Sequence, residues 1–217
     1  MFRHKLLFFA VLLGGFSSAV SAAPITYDVT VNTSSITGTA GSLDFNFNPG
    51  PLVTQAASVQ ILNFMSNGSL VNCAANIQTF CNTGDVSGML PATLTFNNDT
   101  AFNDYFDDFT FGTTISFDVS LYGPALSAPN GTATSGSTFA FSMFSDADGT
   151  IPTLTTDTVD GFALTVGVNP DGSTTVTSYS PETSVSTPEP STFVLLGTAV
   201  AWVGVLRLRR HVGARHV

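Results

Sequence analysis

Between Ala23 and Thr187 the chain carries no Lys, Arg or His, yet it holds fourteen of the protein's fifteen acidic side chains there. Every basic residue and every histidine lies outside that stretch. Arg3, His4 and Lys5 are at the front, and Arg207, Arg209, Arg210, His211, Arg215 and His216 are at the back. A body without cations cannot assemble a Ser-His-Asp triad, a Lys Schiff base, an Arg clamp or a His metal ligand. It has nothing to neutralise a phosphate backbone, so nucleic acid is excluded as a partner. It also cannot form one internal Lys or Arg salt bridge. Burial of apolar area, at ~25 cal/mol per Å², and ladder hydrogen bonds must hold it together. Its unopposed carboxylates repel one another at low salt and favour solubility.

Residues 23–179 read as one domain with a core of its own. Apolar residues alternate with polar ones at Ile25, Tyr27, Val29 and Val31, at Leu43, Phe45 and Phe47, and at Val59 and Ile61. The pattern continues at Leu94 and Phe96, at Ile115, Phe117, Val119 and Leu121, at Phe139, Phe141 and Met143, and at Phe162, Leu164, Val166 and Val168. Period 2 means strands with one buried face. Turn signals separate them, among them Asn48-Pro49-Gly50-Pro51, Ser66-Asn67-Gly68-Ser69 and Asn169-Pro170-Asp171-Gly172. No segment of the body has a helical period. About nine to eleven strands of this kind predict an all-β fold, an antiparallel β-sandwich of jelly-roll type. Phe is its bulky core residue. Residues 180–187, SPETSVST, read as a short stalk.

The two ends read as addresses. Arg3 and Lys5 precede an apolar run from Leu6 to Phe16, and Val20-Ser21-Ala22 supplies small residues before a cut between Ala22 and Ala23. That is the layout of a secretory signal peptide over residues 1–22, processed by a translocon and signal peptidase. The run is too short to span a bilayer. At the other end, Phe193 to Leu206 is free of charge and mostly apolar. Residues 191–208 therefore predict a single transmembrane helix in the inner membrane, its Arg207, Arg209 and Arg210 held on the cytoplasmic side. An ordinary anchor behind a Pro-containing stalk has the same physical outline.

Pro188-Glu189-Pro190 stands directly before that span and Arg209-Arg210 directly after it. This tripartite order over residues 188–217 resembles the PEP-CTERM sorting signal of Gram-negative bacteria. The resemblance implies recognition by exosortase, a membrane transpeptidase-like enzyme, with a cut near the Pro-Glu-Pro motif. It implies transient inner-membrane anchoring followed by release to the cell surface of a biofilm- or polysaccharide-producing bacterium. Two prolines keep the boundary extended and open to a protease. The tail says nothing of what the body binds.

Four groups in the body bear on chemistry. Cys73 and Cys81, the only cysteines, predict a disulfide in an exported chain, with free thiols as the alternative; two thiols without His fall short of a metal site. Asp104, Asp107 and Asp108 offer a carboxylate pair for glycosidic-bond cleavage, or a solvated acidic loop; adjacent Asp107 and Asp108 would face opposite ways on a strand. Asp146, Asp148 and Asp157 are spaced like positions 1, 3 and 12 of a calcium loop. Ile151 stands where that loop needs Gly, however, so an Asp-Gly turn competes with weak Ca²⁺ binding. Tyr105, Phe106, Phe109 and Phe111 form either a sugar-stacking platform or a core-facing strand. Asn32, Asn67, Asn98 and Asn130 each open an Asn-x-Ser/Thr triplet and read as turn residues.

The functional expectation is a non-enzymatic surface or extracellular-matrix protein that uses no cofactor. A carbohydrate- or calcium-binding module with the same address is the alternative, and an acid-pair glycoside hydrolase comes third. Partners expected are exosortase, the secretion machinery and extracellular polysaccharide.

Overall fold

Alternation of this kind buries one face of each strand, so the strands must stack in two layers. The computed structural model describes residues 23–73 and 81–187 and has that architecture. Its strands are β1 (Ile25–Asn32), β2 (Ala40–Pro49), β3 (Ser58–Ser66), β4 (Ser69–Leu70), β5 (Asn82–Thr83), β6 (Val86–Gly88) and β7 (Leu94–Asn97). They continue with β8 (Asp104–Thr110), β9 (Thr114–Tyr122), β10 (Ser137–Phe144), β11 (Phe162–Val168), β12 (Thr174–Ser178) and β13 (Thr183–Ser186). A four-residue helix, α1 (Pro124–Ser127), follows β9.

One sheet has the order β13-β1-β9-β3-β7-β6, the other β12-β11-β10-β2-β8-β4, with β5 also on β8. Every pairing is antiparallel. Three of them are nested along the chain: β1 with β9, β2 with β8, β3 with β7. Successive nested pairs alternate between the two sheets, so the chain crosses the core at each step. The hairpin β11–β12 turns at Asn169-Pro170-Asp171-Gly172, where Gly172 has φ +82°. A left-handed residue at that place strongly favours glycine.

Phenylalanine joins the layers. Phe45 of β2 stands opposite Phe141 of β10 in one register and Tyr105 of β8 in the other. Its ring lies 5.2 Å, edge to face, from Phe117 on the facing sheet and 4.8 Å from Phe141. Phe117 and Phe141 close the triangle at 5.0 Å. All three are buried, together with Leu43, Phe47, Ile61, Phe96, Val119 and Leu164. Edge-to-face rings at these separations add about 0.5–1.5 kcal/mol per pair beyond their area.

Two expectations are corrected. The stalk predicted for residues 180–187 is largely sheet: Thr183–Ser186 pairs with β1, Val185 opposite Val29, and closes one edge of the first sheet. Its sequence looked like linker because only Val185 is apolar, which suffices for an edge strand needing backbone partners more than side-chain burial. The solvated loop offered for Asp104, Asp107 and Asp108 is strand β8, next to β2. The signal peptide, the sorting motif and the span at 191–208 lie outside the described residues. Among the described residues no helix is long and apolar enough to cross a membrane.

Phe45→Ala should lower unfolding free energy by about 3–5 kcal/mol, since it empties the point where the sheets meet. Phe102→Ala, at a side chain 55% exposed, should stay within about 0.5 kcal/mol. Urea unfolding of both variants checks the contrast.

Candidate functional site

With no internal cation, each buried carboxylate of the body needs N–H groups, hydroxyls or a proton. The exposed turns use the first two. Asp146 accepts the N–H of Thr150 at 3.0 Å and of Ile151 at 2.9 Å, and the Thr150 hydroxyl at 2.6 Å. The Thr150 hydroxyl, with these N–H groups, holds Asp146 below the ordinary carboxylate range. Asp157 is slightly desolvated, but the N–H groups of Val159, Asp160 and Phe162 outweigh that and lower it. Asp146 and Asp157 thus organise two separate turns, with Asp148 exposed between them. The calcium-loop spacing does not bring the three together. Asp171 is lowered by the Ser173 side chain and backbone in the same manner.

On the core side of β8, Asp107 is fully buried. It accepts the N–H of Asn72 at 2.9 Å and of Cys73 at 3.3 Å, and the Tyr105 hydroxyl at 3.4 Å. Burial pushes it above the ordinary range, although those donors pull it down. Burial, and then the Asp107 charge, push Tyr105 up as well. Asp107 pins the entry to the Cys73–Cys81 disulfide, which is formed. The two sulfurs and the Asp107 carboxylate lie within 4.8 Å of one another, the one metal-sized trio among the described residues. Joined sulfurs are not thiolates, so the trio is structural.

The other face of the same strands carries the candidate site. Outward positions on β2 are Asp44, Asn46 and Asn48, and on β8 Asp104, Phe106 and Asp108. Asn46 stands opposite Asp104, and Asp44 lies one step along the diagonal. The Asp44 and Asp104 carboxyls hydrogen-bond each other. Asn46 Nδ2 donates to Asp44 Oδ1 at 3.4 Å, and Asn48 Nδ2 donates to Asn46 Oδ1 at 3.4 Å. Asn48 Oδ1 accepts the N–H of buried Asn103 at 2.7 Å, which sets the start of β8 and hence Asp104. Phe106 and the loop over it narrow the solvent side. Gly149, at φ +67°, sits so close that a Cβ there would lie 2.8 Å from the Phe106 ring.

Burial raises both carboxyls. Asp104 goes to about 9, its charge further disfavoured by Asp44, and Asp44 is raised too. At neutral pH the pair keeps a proton. The sequence offered Asp104 but not Asp44 or its neighbour Ser142. Their only signal was an outward slot in Asp44-Phe45-Asn46-Phe47-Asn48 and in Ser142.

The aromatic segment divides by face. Tyr105, Phe109 and Phe111 belong to the core, and only Phe106 is half-exposed, so no sugar platform is built from the four. Of the four Asn of the triplets, Asn32 ends β1 and accepts from Ser34, while the other three act in loops: Asn67 accepts from Thr113, Asn130 from Thr132, and buried Asn98 from Ala57. A cleft of about 460 Å³ at one end of the sandwich is lined by Phe64, Met65, Leu70, Pro91 and Phe109. Comparison with protein-family models, curated proteins and solved structures finds no match for this chain.

Groups raised on folding stabilise most while both states are protonated. In metal-free buffer the contribution of Asp44 and Asp104 is full below about 3.8 and declines as pH climbs to about 9. Asp104→Asn should flatten that decline, seen in thermal unfolding from pH 4 to 9, because an amide donates to Asp44 without ionising.

Proposed function

We propose that this protein is an exported, non-enzymatic component of the cell surface or extracellular matrix, sorted by an exosortase-type system acting on its last thirty residues. The observation that carries this reading is the order Pro188-Glu189-Pro190, apolar run, Arg207, Arg209 and Arg210, at the opposite end from a leader that ends at Ala22. The nested strand pairs support a jelly-roll-like description of the exported body. A cation-free acidic sandwich held by aromatic packing suits a hydrated polysaccharide layer, where solubility and protease resistance matter more than turnover.

Sheet structure continues to Ser186. Four residues, Thr187 to Pro190, then separate β13 from the proposed span, a reach of about 14 Å. The sandwich would therefore ride at the membrane face, and a cut near Glu189 would fall just outside its edge strand.

The calcium- or carbohydrate-binding alternative gains one point of support, the Asp44–Asp104 pair. The acid-pair hydrolase gains none: of the carboxyls it draws on, Asp107 is buried on the core side of β8, whereas Asp104 and Asp108 lie on the outward side.

Glu189→Ala, or deletion of residues 191–210, should abolish surface retention and leave an uncut or freely secreted form. Fractionation with intact-mass measurement reads both ends, and identical placement and mass in variant and parent would sink the sorting proposal.

A further inference from the structure

β12 is the outermost strand of its sheet, and among the described residues it pairs with β11 alone. Its hydrogen bonds to β11 fall on alternate residues. The N–H of Asn169 donates to the Ser173 carbonyl, and the N–H of Tyr179 donates to the Ala163 carbonyl. The unbroken register between these two bonds gives the β11 side to Thr175 and Thr177 as well. The N–H and C=O groups of Thr174, Val176 and Ser178 therefore point off the sheet. Natural edges are blunted by Lys, Pro, a bulge or short length. Residues 173–179, Ser-Thr-Thr-Val-Thr-Ser-Tyr, hold no charge and no Pro. The other outermost strands are shorter, with four residues in β13, three in β6 and two in β4 against five in β12. Val176 is also 36% exposed, although its row faces inward: Thr174 in that row meets the Tyr27 hydroxyl of the facing sheet.

We propose that β12 is a self-association edge, on which a second copy of this chain adds its own β12, antiparallel, about a two-fold axis through Val176. The strand's own sequence selects a second copy. Thr174-Thr175-Val176-Thr177-Ser178 reads almost alike in both directions, and a closed two-fold contact needs that, because residue i must meet j while j meets i. The axis sets Val176 against Val176 and Thr174 against Ser178, so every outward N–H and C=O of the edge finds a partner. On the inner face the two Val176 side chains cover each other and join the two cores. On the outer face Thr175 meets Thr177 of the second copy, a favourable cross-strand pair. Charge does not drive the contact. The ionisable residues flanking the strand are Asp171 and Glu182, both acidic, and this register brings each near the other in the second copy. Salt therefore strengthens the association instead of weakening it. The inference goes beyond the sorting reading and does not use the tail: it makes the sandwich a unit that assembles.

The test is sedimentation equilibrium of the full chain in density-matched detergent. Expected is a monomer–dimer equilibrium with a dissociation constant of about 1–100 µM, as suits a small interface. It should tighten severalfold between about 0.02 and 0.5 M NaCl. Val176→Pro removes the outward N–H at the axis and no bond to β11, a position where an edge strand tolerates Pro. It should weaken dimerisation at least about tenfold while Tm stays within about 5 °C of the parent. Met65→Ser, at the apolar cleft, should leave the dimer unchanged. Thr175→Cys mixed with Thr177→Cys should form a disulfide-linked pair under mild oxidation, faster than either variant alone. A parent that stays monomeric at about 200 µM in high salt would overturn the edge. So would a dimer that Val176→Pro leaves intact, which includes one held by the apolar run at residues 193–206, or cross-linking as fast in either cysteine variant alone. If Val176→Pro does not fold, the cysteine mixture decides. Surface placement of Val176→Pro should match the parent, so failure of the edge and failure of sorting are read separately.

Discussion

Every buried or half-buried carboxyl in this sandwich must be satisfied without a Lys, Arg or His, because the body contains none. Three solutions follow, and they organise the molecule. Turn aspartates such as Asp146, Asp157 and Asp171 collect backbone N–H groups and hydroxyls, which fixes the loops. Asp107 goes into the core and is held there by the N–H groups of Asn72 and Cys73, which ties β8 to the disulfide. Asp44 and Asp104 have neither, and keep a proton between them. A cation elsewhere in the fold would have relieved all three. Without one, geometry and protonation carry the charge.

Cohesion then falls to apolar contact. Phe45, Phe117 and Phe141 meet at the centre of the two layers, and each comes from a strand that is internal to its sheet. The outer pairings depend on that centre. β13 and β12 lie at the edges, offer little apolar surface, and attach through the backbone to β1 and β11, whose inner faces are already fixed. Tyr27 of β1 reaches Thr174 of β12 with its hydroxyl at 2.6 Å and joins the sheets at that margin.

Most strands were legible because alternation is a local signal. Ile115 to Leu121 and Phe139 to Met143 declare their buried faces without reference to anything else. The disulfide was legible from the cysteine count, read with the expectation of an exported chain. β8 was half legible: its aromatic residues announced a core face, whereas three aspartates in seven residues suggested solvent. The conflict resolves because Asp107 takes an inward slot and meets N–H donors that no local reading supplies. β13 was missed, since an edge strand with one apolar residue has almost no pattern to read.

Sequence by itself determined the strand faces and the absence of Lys, Arg and His from the body, both of which depend on residue type and nearest neighbours. Only the tertiary structure decided which acidic residues meet. Asp44 and Asp104 are sixty positions apart, and they touch because β2 and β8 pair in one register rather than one shifted by two. Alternation specifies the face a side chain takes but not the strand beside it, and that choice belongs to the packing of the whole core.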